Sequence, residues 1–173
     1  ADCKSVGLRL RWFESSSAHH LSRLEIHFTI NNIMEQNHTN KIPDNILVEE
    51  FLRFSSPLQY TVRVSTVDYT IGDITIPANS KLLLCLASAN RDEDVFEDAQ
   101  NIVPNRKYNP HFAFGGGLHS CVGAKLARIE LRAFIPKIAS FLMRCEISTE
   151  NPPIWQKTIM MRGLKSLSVV VKK

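Results

Sequence analysis

Between Pro110 and Arg128 the sequence reads PHFAFGGGLHSCVGAKLAR, with three consecutive glycines, a histidine and a cysteine just ahead of a helix-forming run. Gly115, Gly116 and Gly117 have no Cβ, so the backbone here can take positive φ and let a flat object approach closely. His119 and Cys121 stand two residues apart, and Gly123 to Arg128 begin a segment of good helix propensity. Cys121 is therefore expected just before a helix N-terminus. There the unpaired N–H groups and the positive end of the macrodipole favour a thiolate, the form that ligates metal. A lone cysteine also suits a small buried hydrophobe, and a glycine run suits a plain loop. Position alone leaves both readings open.

The flanking segments supply the rest of the architecture. Val122 to about Met143 reads as one long helix, which Pro136 is expected to kink or divide because its ring opposes the carbonyl of Arg132. Asp44 is placed to cap a helix carrying Ile46, Leu47, Glu50, Phe51 and Phe54, which stops before Pro57. Glu50 and Arg53 share one face of that helix, and by spacing alone they make an ordinary surface ion pair. Tyr60 to Val67 alternates like a strand, and Tyr69–Ile71 faces Ile74–Ile76 across Gly72-Asp73, a two-residue hairpin signal. Lys81 to Leu86 suits an apolar strand or a short helix, and the tail offers short strands at Cys145 to Ser148, Thr158 to Met161 and Leu167 to Val171. Residues 1–40 form an atypical N-terminal segment with one amphipathic helix, from about Leu21 to Gln36. Its LSRLEI matches LARIEL at 126–131 in part, which fits either two independent amphipathic helices or a duplicated remnant.

Composition narrows the class. With 173 residues and 44% hydrophobic content the chain can bury the core of one domain. No apolar run is long enough to cross a bilayer, and the first residues lack a signal-peptide pattern. Cys3, Cys85, Cys121 and Cys145 show neither CxxC pairing nor zinc spacing, so a reducing compartment and a cytoplasmic location are expected. The net charge of +4 is scattered rather than striped, and no basic patch interleaves with aromatics, which argues against nucleic-acid binding. His19, His20, His27 and His38 fit no metal-ligand pattern.

Phe114, Gly115, Gly117, His119, Cys121, Gly123, Leu126, Ala127 and Arg128 together resemble the haem-binding signature of the cytochrome P450s, Phe-x-x-Gly-x-His-x-Cys-x-Gly followed by Leu-Ala-Arg. About seventy residues earlier, Glu50 and Arg53 resemble the family's Glu-x-x-Arg pair. The resemblance implies that this pair is buried with a second arginine, matched by Arg106. Ala89-Asn90-Arg91-Asp92 resembles the family's entry into an irregular meander, although Ile102 and Val103 stand where Phe-Asp is usual. Arg162 to Leu167 resembles the family's last hairpin.

The resemblance covers residues 41–173 and implies an α+β fold, mainly α with small β-sheets, corresponding to the C-terminal half of the cytochrome P450 fold truncated at its N-terminus. It implies haem b as cofactor, with Cys121 as the axial iron ligand and His119 and Arg63 reaching its propionates. Phe114, Gly115 and Gly123 would shape the pocket, and Glu50, Arg53 and Arg106 would hold the scaffold. The implied activity is insertion of one oxygen atom of O2 into a small lipophilic substrate, with a ferredoxin-type electron donor. The family's distal oxygen-activating helix has no counterpart in residues 1–40, so no catalytic residue is identified. The chain alone is expected to bind haem weakly or not at all, and not to hydroxylate unaided. The alternative is a non-catalytic relic or interaction module that keeps the proximal half of the fold without stable haem.

Overall fold

A computed structural model describes residues 44–142 and 144–171. The amphipathic helix expected from Leu21 to Gln36, and its likeness to residues 126–131, lie outside the described residues.

Helix α1, Asp44–Ser55, carries two inward stripes. Leu47, Val48 and Leu52 form an apolar stripe, while Glu50 and Arg53 form a polar one that is equally buried. The helix stops at Ser56, which adopts φ +40, donates its N–H to Leu52 O and its hydroxyl to Arg53 O, and leads into Pro57. Strand β1, Thr61–Val64, pairs antiparallel with β4, Lys81–Leu84, with Arg63 opposite Leu82. Between them β2, Tyr69–Ile71, and β3, Ile74–Ile76, form the expected hairpin, turned by Gly72 at φ +56. The segment Lys81 to Leu86 resolves into both of its candidate forms: strand β4, then a short helix α2 at Leu86–Ala89.

Residues 90–116 carry no regular element. A single 3-10 turn at Gly117–His119 precedes helix α3, Ala124–Leu142. Pro136 does not divide this helix. Pro136 and Arg132 both lie on its exposed side, so water can reach the carbonyl that loses its N–H partner. The tail pairs β5, Cys145–Ile147, with β8, Val169–Val171, and β6, Ile154–Trp155, with β7, Leu164–Ser166. Thr158 to Met161 is not a strand. Met161 makes only an isolated bridge to Leu58, flanked by bonds from Gln59 N–H to Met160 O and from Arg162 N–H to Pro57 O, because the two segments touch at one crossing.

Among the described residues the sheets are therefore four separate two-stranded ones, and α1 packed on α3 provides the core. Val48, Leu52 and Ala113 form its centre, with Phe114, Leu131 and Ile135 packed against it. Beside this centre an apolar groove of about 290 Å³ runs between the helices, lined by Leu47, Phe51, Pro57, Phe134 and Ile138 among others.

Candidate functional site

Arg53 and Glu50 are each fully buried, and every hydrogen-bonding capacity of the guanidinium is used. Arg53 Nε and Nη2 donate to the two oxygens of Glu50 at 2.8 and 2.7 Å. Its remaining N–H groups donate to three main-chain carbonyls in or entering the meander: Asn90, Ala99 and Asn101, each at 2.8 Å. Glu50 also accepts from Arg106 Nε at 3.0 Å, Asn109 Nδ2 at 3.1 Å and the Val103 N–H at 2.8 Å. Buried charges are tolerated when paired and hydrogen-bonded in this way. The spacing-only reading of a surface pair is thus corrected, because carbonyls far along the chain fold over the helix face that carries it. Phe96 fills the gap, its ring centroid 5.3 Å from the Arg53 guanidinium carbon and 5.8 Å from that of Arg106.

Asn90 links this hub to the cysteine loop. Fully buried, it donates from Nδ2 to Ser56 Oγ at 2.8 Å and accepts the Phe112 N–H on Oδ1 at 2.6 Å. The loop then turns at Gly115, φ +69, and Gly117, φ +59. At Gly115 a Cβ would sit 3.2 Å from the His119 carbonyl oxygen, so φ favours glycine there and a side chain would also be crowded. The loop closes on itself through Cys121 N–H donating to Phe114 O at 2.9 Å, and Ala124 N–H donates to Cys121 O at 3.2 Å as α3 starts. Cys121 is exposed, and its neighbours Leu118 and Val122 are wholly exposed, at 103% and 102%.

The other expected cofactor contacts are distributed differently. His119 and Gly123 lie on the same loop as Cys121, His119 exposed, and a Cβ at Gly123 would stand 3.8 Å from Cys121 Sγ, an ordinary contact. Phe114 is turned toward the core, under the Arg128 guanidinium, whose carbon is 4.7 Å from the ring centroid. Arg63 folds back on its own strand, with Nη1 donating to Thr61 Oγ1 and Val62 O at 2.9 and 2.8 Å.

Two side chains that matter here, Glu49 and His111, were not singled out from sequence; they join Arg128, which was. Glu49 accepts from Arg128 Nε and Nη2 at 2.7 and 2.8 Å, and from His111 Nε2 at 2.9 Å. His111 Nδ1 accepts the Ala113 N–H at 3.2 Å, so the network assigns a neutral ring protonated on Nε2. Burial holds His111 below the ordinary histidine pKa despite the pull of Glu49. Burial pushes Glu49 up, but the hydrogen bonds from Arg128 and His111 outweigh it and leave the carboxyl below its usual range. Sequence offered one pointer to this cluster, the arginine that ends LAR.

The donor set suits one kind of metal group. Among the described residues no three His, Cys, Asp or Glu side chains cluster, so a bare ion finds no chelate. A single presented thiol fits a metal that brings its own planar ligands, and an apolar, glycine-turned surface suits the face of such a macrocycle. The residues present therefore fit haem.

Comparisons with known proteins agree with this geometry. The cytochrome P450 family pattern matches residues 25–169. The chain is 41% identical over 124 residues to a beta-dihydromenaquinone-9 omega-hydroxylase of Mycobacterium tuberculosis, covering 72% of this chain and 25% of that protein. It is 40% identical over 126 residues to cytochrome P450 119 of Sulfolobus acidocaldarius, covering 72% of this chain and 33% of that one. Among solved structures, the cytochrome P450 of the Bacillus subtilis bacillaene polyketide synthase superposes with a TM-score of 0.76 at 29% identity, over 88% of this chain and 40% of its own. The chain thus spans about a quarter to a third of the length of these curated relatives.

Proposed function

The chain belongs to the cytochrome P450 family, and on that premise we propose that residues 41–173 are the haem-holding portion of a monooxygenase in which Cys121 is the axial iron ligand. Family members bind haem b. When bound, thiolate-ligated haem supplies activation of O2 for insertion of one oxygen atom into an organic substrate. Residues of this chain would do the holding. Cys121 presents its sulfur from a loop whose closing bond, Cys121 N–H to Phe114 O, fixes the backbone behind it. His119 is placed to donate to a propionate, and Arg63 can do so if it exchanges its bonds to Thr61 and Val62. Glu50, Arg53 and Arg106 tie the meander to α1 and so fix the approach to the loop.

The observation that carries this reading is the exposed Cys121 thiol at the head of α3, on a glycine-turned loop anchored to a fully buried Glu50–Arg53 hub. We assign a lipophilic substrate, supported by the dihydromenaquinone hydroxylase among the relatives, and a separate ferredoxin-type electron donor. Full activity belongs to a polypeptide longer than these 173 residues, because the relatives are three to four times the length of the matched region. Among the described residues no helix is long and apolar enough to cross a membrane.

Haem reconstitution tests the proposal. With haem in excess, to offset the weak binding expected of the 173-residue chain alone, the reduced, carbon-monoxide-treated protein is expected to show a red-shifted Soret band that disappears in Cys121→Ala. A band that survives in Cys121→Ala, or no haem uptake at all, would overturn it, and the latter result favours a proximal half retained without cofactor.

A further inference from the structure

Glu49 joins the two flanks of the cysteine loop. Its carboxylate takes a two-pronged grip from Arg128 on α3, beyond the loop, and a bond from His111 just before it. Arg128 lies on the face of Phe114, and the Phe114 carbonyl accepts the Cys121 N–H. Phe114 is packed against the core cluster formed by Val48, Leu52 and Ala113. A fork-shaped pair fixes direction as well as distance, and a cation over an aromatic face fixes the ring's tilt. The partners of Glu50 lie instead on α1 and in the meander up to Asn109, and among the described residues none lies on α3, so Glu49 alone of the two carboxylates spans the loop.

We propose that Glu49 is a positioning residue for the Cys121 thiol. Gripping His111 on one side and Arg128 on the other, it sets the width of the loop. Through Arg128 and Phe114 it sets the carbonyl on which the Cys121 N–H rests. This role deepens the assignment of Cys121 as iron ligand and rests on it. Glu49 touches no cofactor; it fixes where the sulfur stands relative to α1.

Two variants test it in the 173-residue chain: Glu49→Gln, which removes the charge, and Arg128→Lys, which keeps the charge but loses the fork and the stack. Amide hydrogen exchange is expected to rise about ten-fold at Gly115, Ser120 and Cys121 in both, while Leu52 to Ser55 and Val62 to Val64 change less than about two-fold. After reconstitution with haem, reduction and carbon monoxide treatment, both variants are expected to retain haem but divide its Soret absorption between the red-shifted, thiolate-bound form and an unshifted one. Cys121→Ala is expected to lose the red-shifted band with loop exchange unchanged, so the ligand assignment and the positioning role fail separately. If Glu49→Gln does not fold, Arg128→Lys decides. Unchanged loop exchange, acceleration spread evenly over α1 and the β1–β4 sheet, loosening of the loop without any change in the band, or failure of both variants to fold would each overturn the role of Glu49.

Discussion

Replacing Glu50 with glutamine keeps the shape of the side chain and removes its charge, which isolates the electrostatic contribution of the buried hub. The carboxylate accepts five hydrogen bonds, from Arg53 Nε, Arg53 Nη2, Arg106 Nε, Asn109 Nδ2 and the Val103 N–H. An amide oxygen cannot take all of these, and the new NH2 group faces donors. Two guanidiniums, with side-chain exposures of 0% and 8%, would be left against a neutral partner. Breaking a buried pair by removing one charge costs about 3–5 kcal/mol, a large part of the ~5–15 kcal/mol that stabilises a domain. Glu49→Gln one position earlier is the control, since Glu49 is a quarter exposed and its pairs are partly screened. There a loss of about 1 kcal/mol is expected. In urea, with a slope of about 2 kcal/mol/M, the midpoints should fall by roughly 2 M for Glu50→Gln and 0.5 M for Glu49→Gln. Circular dichroism at constant slope measures both. Equal shifts for the two variants would refute the claim that the Glu50 hub holds the fold together.

Acid should weaken the loop clamp in two stages. His111 is held below its ordinary pKa of about 6.5, so the unfolded chain takes up that proton first and stability falls as pH drops below about 6.5; Glu49, also depressed, adds a further loss below about 4.5. Glu50 and Arg128 are the other charges acting on His111, and His111→Gln should remove the first stage of a denaturation–pH profile. Gly115→Ala should cost about 1–2 kcal/mol in thermal or urea unfolding, whereas Gly123→Ala should cost less, because only the first position combines positive φ with a crowded Cβ. Asn90→Ala should cost about 2 kcal/mol, since it strands the Phe112 N–H; a neutral effect would show that water replaces the bond. Arg63→Ala should leave the urea midpoint nearly unchanged, as its bonds are local, and yet reduce haem uptake.

The parts legible in sequence are those in which neighbours in the chain are also neighbours in space. The Gly72 hairpin, the Glu50–Arg53 spacing and the run from Phe114 to Arg128 all act over a few residues, and their residue types announce the backbone they need. Glu49 and His111, and the role of Arg128 as their partner, escaped because 62 and 79 residues separate the carboxylate from the two groups it binds. A second glutamate beside Glu50 reads as ordinary helix surface until α3 is laid across it. Pro136 leaves the helix undivided, since the cost of a missing N–H depends on whether water reaches the stranded carbonyl. Thr158 to Met161 has strand-forming residues without a ladder to join.

Arg53 reaches the meander entirely through main-chain oxygens, at Asn90, Ala99 and Asn101, and Glu50 receives Val103 by its amide. Every amino acid carries that oxygen, and all but proline carry that amide. The path of the stretch is therefore held at these four points whatever side chains they carry, and Val103, which meets Glu50 by its amide alone, needs no particular side chain to do so.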